Sequence, residues 1–358
     1  MSGGGWLAVG IALVAAYPCL VFALNRWRTP PPIAAGVLEP ASTPSTPSTP
    51  STPLSSELVV ATWNIGYGGM GREADFVMDL GQQKRPERPE LVDRNVAAIA
   101  DGLACLDADV LLLQEAARPS WNTYRRDVLG AVAKRLPGHA LAFGADIDTR
   151  AVPPPFNVRI GNAILSRRGG AIERRALPLE PTFEYGAFRK GYRIHILRLT
   201  DAGGAAWTLA NIHLSAFDAT VHNVRERQVA ALLAFAEAEY AAGRHVAIGG
   251  DWNLRLARTE FPHATAPRFQ FWIRDFPMEQ TPRDWTWAVD PARPTVRTAH
   301  QPYVRGQNYR LIIDGFLLSP NVEALAVETL DLDFAHSDHN PVRIRIRARQ
   351  TDGAASLN

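Results

Sequence analysis

The stretch HVAIGGDWNL, residues 245–254, joins an uninterrupted apolar run to acidic and amide side chains at its end. A short apolar run of this kind predicts a β-strand that is covered on its faces, and Asp251 and Asn253 follow where the chain leaves the sheet. Similar runs recur along the chain and also predict strands. They are residues 57–64, 109–115, 161–166, 192–199, 207–213, 309–319 and 342–347.

Two helical stretches lie between these strands. Residues 89–106 place apolar side chains on one stripe, and the Ala-rich residues 223–243 end at Gly243, a residue suited to the end of a helix. With 46% hydrophobic and 21% charged residues among 358, the chain can bury a large core. Because no second linker divides residues 57–350, we expect one α/β catalytic domain there.

Charge and cysteine content exclude some classes of protein. The 38 basic and 36 acidic side chains give a formal net charge of +2, so no chain-wide field attracts nucleic acid or acidic lipid. A preference for a polyanion therefore requires a local patch. Cys19 lies in an apolar run and Cys105 in a predicted helix, which argues against a disulfide framework.

The N-terminal residues 1–28 contain the run WLAVGIALVAAYPCLVFAL, which is uncharged and almost wholly apolar. A helix of this length just spans the hydrocarbon of a bilayer, so we predict a single transmembrane anchor with a kink at Pro18. A cleaved signal peptide is the competing interpretation. The run is long for such a peptide, and no basic residue precedes it.

Residues 29–56 predict a disordered linker, because they contain the repeat PASTPSTPSTPSTP, which cannot bury a core. We expect residues 351–358 to be a disordered tail.

Two signals conflict on which side of the membrane the catalytic domain lies. Arg26 and Arg28 favour a cytoplasmic domain by the positive-inside rule. The linker is typical of surface-tethered domains and favours an extracytoplasmic catalytic domain, which is the location we predict.

Polar side chains recur at the ends of the predicted strands, where they can point into a shared cleft. Taken singly, each is explained as a turn or helix-cap residue. Jointly they supply what is needed to hydrolyse a phosphate ester with a divalent cation. They are Asn64, Glu115, His213, Asp251, Asn253, Asp314, Asp338 and His339.

Oxygen ligands of this type select Mg²⁺ or Mn²⁺, and the thiolate clusters that favour zinc are missing. Magnesium needs one or two protein carboxylates, so Glu115 with Asp338 suffices. Asp251 is placed to activate a water, and a charged His339 backed by Asp314 can donate hydrogen bonds to the phosphate.

Seven segments together resemble the endonuclease/exonuclease/phosphatase superfamily, in the same order and at roughly its spacing, over residues 57–347. The pair GDWN and SDHNPV is the most specific part. The resemblance implies a four-layered sandwich of two packed mixed β-sheets flanked by helices, with the site at one end of the sheets. The segments are TWNIGYG, LLLQEA, GNAILSR, NIHLSAF, IGGDWNL, IIDGFLLS and SDHNPV.

Carried over residue by residue, the resemblance implies that Glu115 and Asp338 hold the metal, assisted by Asn64. Asp251 then orients or deprotonates the attacking water, and Asn253 holds the phosphate and that water.

The resemblance also implies that His339, paired with Asp314, stabilises the transition state. His213 matches a position where some members carry a His and others a Tyr that contacts the phosphate.

The chain departs from the family pattern in two places. Gly66 stands where some members have a further carboxylate in the metal shell, so fewer protein ligands are expected. Residues 68–90 form an insertion that is rich in charged residues and predicts a solvated loop rather than a segment over the cleft. The Cys-Asp-Arg triplet of inositide 5-phosphatases is absent near Asp314, which argues against that activity.

The expected activity is therefore that of a metal-dependent phosphodiesterase, in a monomer. Its substrate is DNA or RNA, or a phospholipid head group, since the motifs recognise the phosphate and leave the rest to the loops. Basic candidates for a nucleic-acid stripe are Arg150, Arg159, Arg167, Arg168, Arg174, Arg175, Arg189 and Lys190. The alternative is a catalytically inactive member that acts as a membrane-tethered binding module.

Four tryptophans bear on the choice of substrate, because exposed aromatic rings suit a lipid interface. We expect most of them to lie in the core instead. They are Trp252, Trp272, Trp285 and Trp287.

Overall fold

Two mixed β-sheets form the centre of the protein in a computed structural model that describes residues 3–26, 36–38, 56–149, 152–178, 184–185, 188–216 and 223–349. The strands are β1 (Gly36–Leu38), β2 (Glu57–Asn64), β3 (Val110–Ala117), β4 (Ala140–Asp148), β5 (Arg159–Ser166), β6 (Gly170–Ala176), β7 (Glu184–Tyr185), β8 (Phe188–Arg189), β9 (Arg193–Thr200), β10 (Ala206–His213), β11 (His245–Asp251), β12 (Thr286–Ala288), β13 (Val296–Arg297), β14 (Arg310–Leu311), β15 (Asp314–Leu318), β16 (Val322–Thr329) and β17 (Val342–Ala348). The helices of the described part are α1 (Gly3–Arg26), α2 (Pro89–Cys105), α3 (Val128–Arg135) and α4 (Val224–Ala241).

One sheet has the strand order β1-β6-β9-β10-β11-β15-β12 and the other the order β16-β17-β2-β3-β5-β4. Each contains one parallel pair, β10 with β11 and β2 with β3, among antiparallel neighbours. Both sheets are therefore mixed, as the resemblance implied.

Successive side chains of a strand point to opposite faces of the sheet, and in the central strands both sets are apolar. One set packs between the two sheets, which therefore lie face to face. From β3, Val110 and Leu112 point inward and meet Trp207 and Phe316 of the other sheet. Leu111, between them, points outward. The strand therefore reads as a continuous apolar run, which is typical of a strand covered on both sides.

Helices cover the two outer faces. Helices α2 and α3 pack through Val92, Ile99 and Val132 on the β2–β3 sheet. Helix α4 packs through Val229 and Leu232 on the β10–β11 sheet. The result is the predicted four-layered sandwich.

The N-terminal helix α1 contains Pro18. In the residues that the structure describes, no helix combines the length and the apolarity needed to cross a membrane. The transmembrane prediction for residues 1–28 therefore receives no support from the fold.

Part of the predicted linker, residues 29–56, belongs to the folded sheet. Strand β1 pairs antiparallel with β6, with Leu38 opposite Gly170. The Leu38 side chain is 7% exposed and lies in the core between the sheets. Residues 39–55 and the predicted tail, 351–358, lie outside the described residues.

Strand β1 gives a prediction on stability. Removing residues 1–54 is expected to lower the free energy of unfolding by about 1.5–3 kcal/mol relative to removing residues 1–35, because Leu38 loses its burial. Urea unfolding of the two truncated chains measures the difference. Leu38→Ala in the chain that lacks only residues 1–35 is the matched control. This substitution should reproduce most of the difference in free energy of unfolding. Equal stabilities would show that β1 does not contribute.

Candidate active site

Seven of the eight predicted site residues line one cavity of about 480 Å³ at the end of the two sheets. Those seven are Asn64, Glu115, His213, Asp251, Asn253, Asp338 and His339. The eighth, Asp314, lies directly behind His339 and accepts a 2.9 Å hydrogen bond from its Nδ1. The structure therefore brings together the whole predicted set.

Strand register explains much of this convergence. In the parallel pair β10–β11, His213 lies opposite Asp251. In the antiparallel pair β11–β15, Asp251 lies opposite Asp314. Asn64 is the last residue of β2. Residues at the ends of strands in both sheets thus meet at the same end of the sandwich.

Glu115 reaches the cavity through an irregularity in β3. The pairing of β3 with β5 shifts register between Leu113 and Ala116, and Glu115 has a backbone φ of 51°. A bulge of this kind turns a side chain away from the regular alternation of the strand. A non-glycine residue with positive φ is strained and is characteristic of functional sites.

Asp251 is held from two directions. Its Oδ2 accepts a 3.0 Å hydrogen bond from Asn64 Nδ2, and its Oδ1 accepts a 2.9 Å hydrogen bond from the backbone N–H of Asn253. Asn253 has a φ of 51° and donates from Nδ2 to the carbonyl of Leu214. Burial raises the pKa of Asp251 to about 6, which makes it more basic than an exposed aspartate.

His339 is buried and carries a positive charge. Burial alone would lower its pKa, but the carboxylates of Asp314 and Asp251 outweigh that effect and raise the pKa to about 10. Its Nε2 lies 3.8 Å from Asp251 Oδ2 and lines the cavity. The ring is therefore fixed by Asp314 and presents a charged N–H to a ligand.

His213 differs from His339 in charge. Burial, followed by the nearby charges of Lys190 and His339, lowers the pKa of His213 well below its usual value, so the ring is neutral. Its Nε2 lies 3.6 Å from Asp251 Oδ2. The site thus combines one charged and one neutral imidazole on either side of a carboxylate.

Glu115, Asp338 and Asn64 fit a divalent cation by the chemistry of their donor atoms. Burial raises the pKa of Asp338 to about 7, and the nearby charge of Glu115 contributes. Burial also raises the pKa of Glu115. Within the described ranges, no lysine or arginine nitrogen lies within 4.0 Å of either carboxylate. Two cavity-facing carboxylates without an ion-pair partner favour a bound cation.

Ligand atoms of Asp251, Asp314 and His339 also lie within 4.8 Å of one another. His339 Nδ1, however, is already hydrogen-bonded to Asp314 at 2.9 Å. This group is therefore better described as a hydrogen-bonded Asp314–His339 pair with Asp251 beside it, 3.8 Å from His339 Nε2, than as a metal site.

Residues 61–339 match the Endonuclease/Exonuclease/phosphatase family, which is more than half of the chain. The chain belongs to this family. Members of the family are typically divalent-metal-dependent phosphoester hydrolases. Comparison with curated proteins gives no match.

Solved structures share the fold. An endonuclease/exonuclease/phosphatase protein from Beutenbergia cavernae DSM 12333 aligns with a TM-score of 0.55 and 20% identity, over 83% of this chain and 73% of that chain. D. rerio TDP2 complexed with single strand DNA product aligns with a TM-score of 0.52 and 17% identity, over 82% of this chain and 100% of that chain.

The family carboxylate that Gly66 replaces has no room here. Gly66 has a φ of 48°, and a Cβ atom on it would lie 2.5 Å from Met70 Cβ and 3.2 Å from Asp338 Oδ1. Its N–H instead donates to Asn64 Oδ1 at 3.0 Å. In this member of the family, Gly66 fixes the orientation of Asn64.

The insertion at residues 68–90 is a wall of the cavity, so our prediction of a solvated loop was wrong. Phe76 and Met78 line the cavity. The backbone N–H of Phe76 donates to the carbonyl of Ala299 at 2.6 Å, and Asp79 Oδ2 accepts from the N–H of Ala299 at 2.7 Å. These bonds hold the insertion against the β13 segment.

Lys190 and Asp146 are two of the charged cavity residues that the sequence analysis missed as site residues; the others are Asp79, Lys84 and Arg297. Lys190 was considered only as part of a basic stripe, and Asp146 was not considered. Asp146 lies near the end of β4 and Lys190 lies just before β9, and both are outside the family motifs. Their convergence depends on the packing of the two sheets, for which the sequence carries no local signal.

Three of the six members of the proposed basic stripe whose side chains the structure describes are paired with neighbouring acids. Pairs at 3.1 Å or less are Arg167 with Asp107, Arg168 with Asp109 and Arg175 with Glu173. Arg150 and the side chain of Arg189 lie outside the described residues.

The tryptophans lie in the core, as predicted. Trp252, Trp272 and Trp285 are buried, and Trp287 is partly buried against the same apolar cluster as Trp252.

Proposed function

We propose that the chain is a divalent-metal-dependent phosphodiesterase that acts on nucleic acid or on a phospholipid head group. One observation carries the proposal: the residues Glu115, Asp338, Asp251 and His339 line a single cavity, with a different chemical environment for each. An inactive family member would have no reason to keep the whole set in one cavity. We therefore favour the enzyme over the binding module.

Glu115, Asp338 and Asn64 would hold the cation, which lowers the pKa of a bound water and neutralises charge on the phosphate. Asp251 accepts a proton from the attacking water, because its carboxylate is buried and basic. Charged His339 donates a hydrogen bond from Nε2 to a phosphate oxygen.

The two substrate classes are supported by different features. Apolar side chains from the insertion and the β4–β5 region, among them Phe76, Met78 and Ile160, line the cavity and offer contacts to an apolar group. D. rerio TDP2, which shares the fold, has been crystallised with a single strand DNA product. The extracytoplasmic location stays a prediction from the linker.

A substrate panel tests the proposal. The full chain is incubated with bis-p-nitrophenyl phosphate, p-nitrophenyl phosphate, single-stranded and plasmid DNA, RNA, sphingomyelin and phosphatidylinositol phosphates, with Mg²⁺ or Mn²⁺ and with chelator. We expect metal-dependent cleavage of the diester in preference to the monoester. Absence of metal-dependent hydrolysis across the whole panel contradicts the proposal, whereas the preferred natural substrate decides between nucleic acid and lipid.

Glu115→Ala is expected to weaken metal binding first. Activity at low Mg²⁺ should fall at least tenfold and should recover in part as Mg²⁺ or Mn²⁺ is raised, because the defect is the loss of one ligand. Titration of metal against activity measures the midpoint. Glu90→Ala, at an exposed position on α2, is the control and should leave the midpoint unchanged. A Glu115→Ala midpoint equal to that of the wild type would remove Glu115 from the metal site.

A further inference from the structure

Lys190 is a cavity residue that the family motifs do not include. It lies between β8 and β9, and its side chain lines the same cavity as Glu115, His213 and Asp251. Its Nζ lies 3.5 Å from His213 Nε2 and 5.0 Å from the centre of the Tyr192 ring. A cation is thus placed beside His213, whose Nε2 lies 3.6 Å from Asp251 Oδ2.

The position of Lys190 is set by the backbone that follows it. The N–H of Gly191 donates to the carbonyl of Asp146 at 2.8 Å, and Arg193 Nη1 donates to the carbonyl of Ala145 at 2.8 Å. These bonds fasten the segment to β4. The ammonium group therefore reaches the cavity from a fixed base and has little freedom to turn to bulk solvent.

The ammonium group of Lys190 has unused hydrogen-bonding capacity. A lysine carries three donors, yet the contact to His213 lies at the limit of a hydrogen bond. Across the described stretches of the chain, no carboxylate oxygen lies within 4.0 Å of Nζ. Burial opposes its charge, but the surrounding groups, Tyr192 and Glu115 foremost, raise its pKa above the usual value. A partly buried cation without an ion-pair partner is suited to bind an anion.

We propose that Lys190 is a further catalytic residue, which contacts a non-bridging oxygen of the phosphodiester in the cavity that it shares with Glu115 and Asp338. The inference rests on the proposed phosphodiesterase function. Glu115 belongs to β3, and the segment of Lys190 contacts the end of β4 and leads into β9 of the other sheet, so the cavity is lined where the two sheets meet.

The role is electrostatic. The water oxygen forms a bond to phosphorus while the bond to the leaving oxygen breaks. The proton of the water goes to Asp251, and the leaving alkoxide takes a proton from solvent. The diester carries one negative charge, and a second develops on the non-bridging oxygens as the water loses its proton. Lys190 keeps its own proton and stabilises that charge, which is most effective in a site shielded from water.

The test compares Lys190→Met and Lys190→Arg with Lys134→Met, a matched control at an exposed position on α3. Hydrolysis of bis-p-nitrophenyl phosphate by the full chain is measured with Mg²⁺. Lys190→Met should lower kcat/KM at least a hundredfold, Lys190→Arg less than tenfold, and Lys134→Met not at all. Raising Mg²⁺ should not restore Lys190→Met. In a further variant, Lys190→Ala, added methylammonium should partly restore the rate of diester hydrolysis.

Calorimetric titration with inorganic phosphate is the second measurement and does not need turnover. Lys190→Met should bind phosphate at least tenfold more weakly than the wild type, with an unchanged unfolding midpoint. If the wild type is inactive on the diester while Lys190→Met still binds phosphate more weakly than the wild type, the proposed function fails and the anion contact of Lys190 stands. If turnover and phosphate affinity of Lys190→Met match the wild type, Lys190 has no such role. A lowered unfolding midpoint in both Lys190 variants would also overturn it, since the residue would then be structural.

Discussion

His339→Ala is expected to lower kcat on a phosphodiester by two or more orders of magnitude while leaving metal affinity unchanged. The ring is buried, charged and fixed through Nδ1 by Asp314 at 2.9 Å, so Nε2 is preorganised toward the cavity. Loss of a preorganised contact to the transition state has an effect of this size. Because the defect lies in transition-state stabilisation, added Mg²⁺ or Mn²⁺ should not restore the rate.

Metal titration against activity checks this expectation. His263→Ala, at an exposed position, is the matched control and should behave as the wild type. Asp314→Asn should give an intermediate loss, because the ring keeps its place but loses the carboxylate that stabilises its charge. Full activity of His339→Ala, or recovery by metal, would contradict the assigned role.

The central strands could be predicted from the sequence because they are buried on both faces. Strand β3 is apolar at every position from Val110 to Leu113. Strands at the edges of the sheets could not be predicted in this way. In β16, the short apolar run at residues 324–327 is flanked by Glu323 and Glu328 and contains two exposed alanines, so it does not have the pattern of a strand buried on both faces.

Strand β1 shows a second limit of the sequence. Residues 36–38 lie in a segment whose Pro, Ser and Thr content predicts a linker, and three residues carry no periodicity. Only the packing of Leu38 against the core between the sheets makes them part of the fold.

The motif residues of the site could be predicted because each follows an apolar strand, and strands of both sheets end at the same side. The insertion at residues 68–90 was misjudged because its charges suggested solvent. In the structure some of those charges have partners: Glu73 accepts from Arg94 at 2.6 Å and Asp79 accepts from the N–H of Ala299. A charged segment whose charges are satisfied internally can cover a cavity.

Asp251→Asn is expected to lower kcat by two to four orders of magnitude, roughly the contribution of general-base catalysis. A neutral amide cannot accept the proton of the attacking water. It also disturbs the hydrogen bonds that hold the site, since Oδ1 and Oδ2 both accept, from the N–H of Asn253 and from Asn64 Nδ2. An amide can offer one acceptor oxygen only, so one donor is left without its partner.

The response to metal separates Asp251 from the predicted metal ligands. Glu115→Ala should regain activity as Mg²⁺ or Mn²⁺ rises, whereas Asp251→Asn should stay inactive across the same titration, because proton transfer rather than ligand number is lost. Asp101→Asn, on the exposed surface of α2, is the control for the substitution itself. If Asp251→Asn is rescued as Glu115→Ala is, Asp251 is a metal ligand. The group formed by Asp251, Asp314 and His339, whose ligand atoms lie within 4.8 Å of one another, would then be the cation site, and His339 could not serve as the charged phosphate contact.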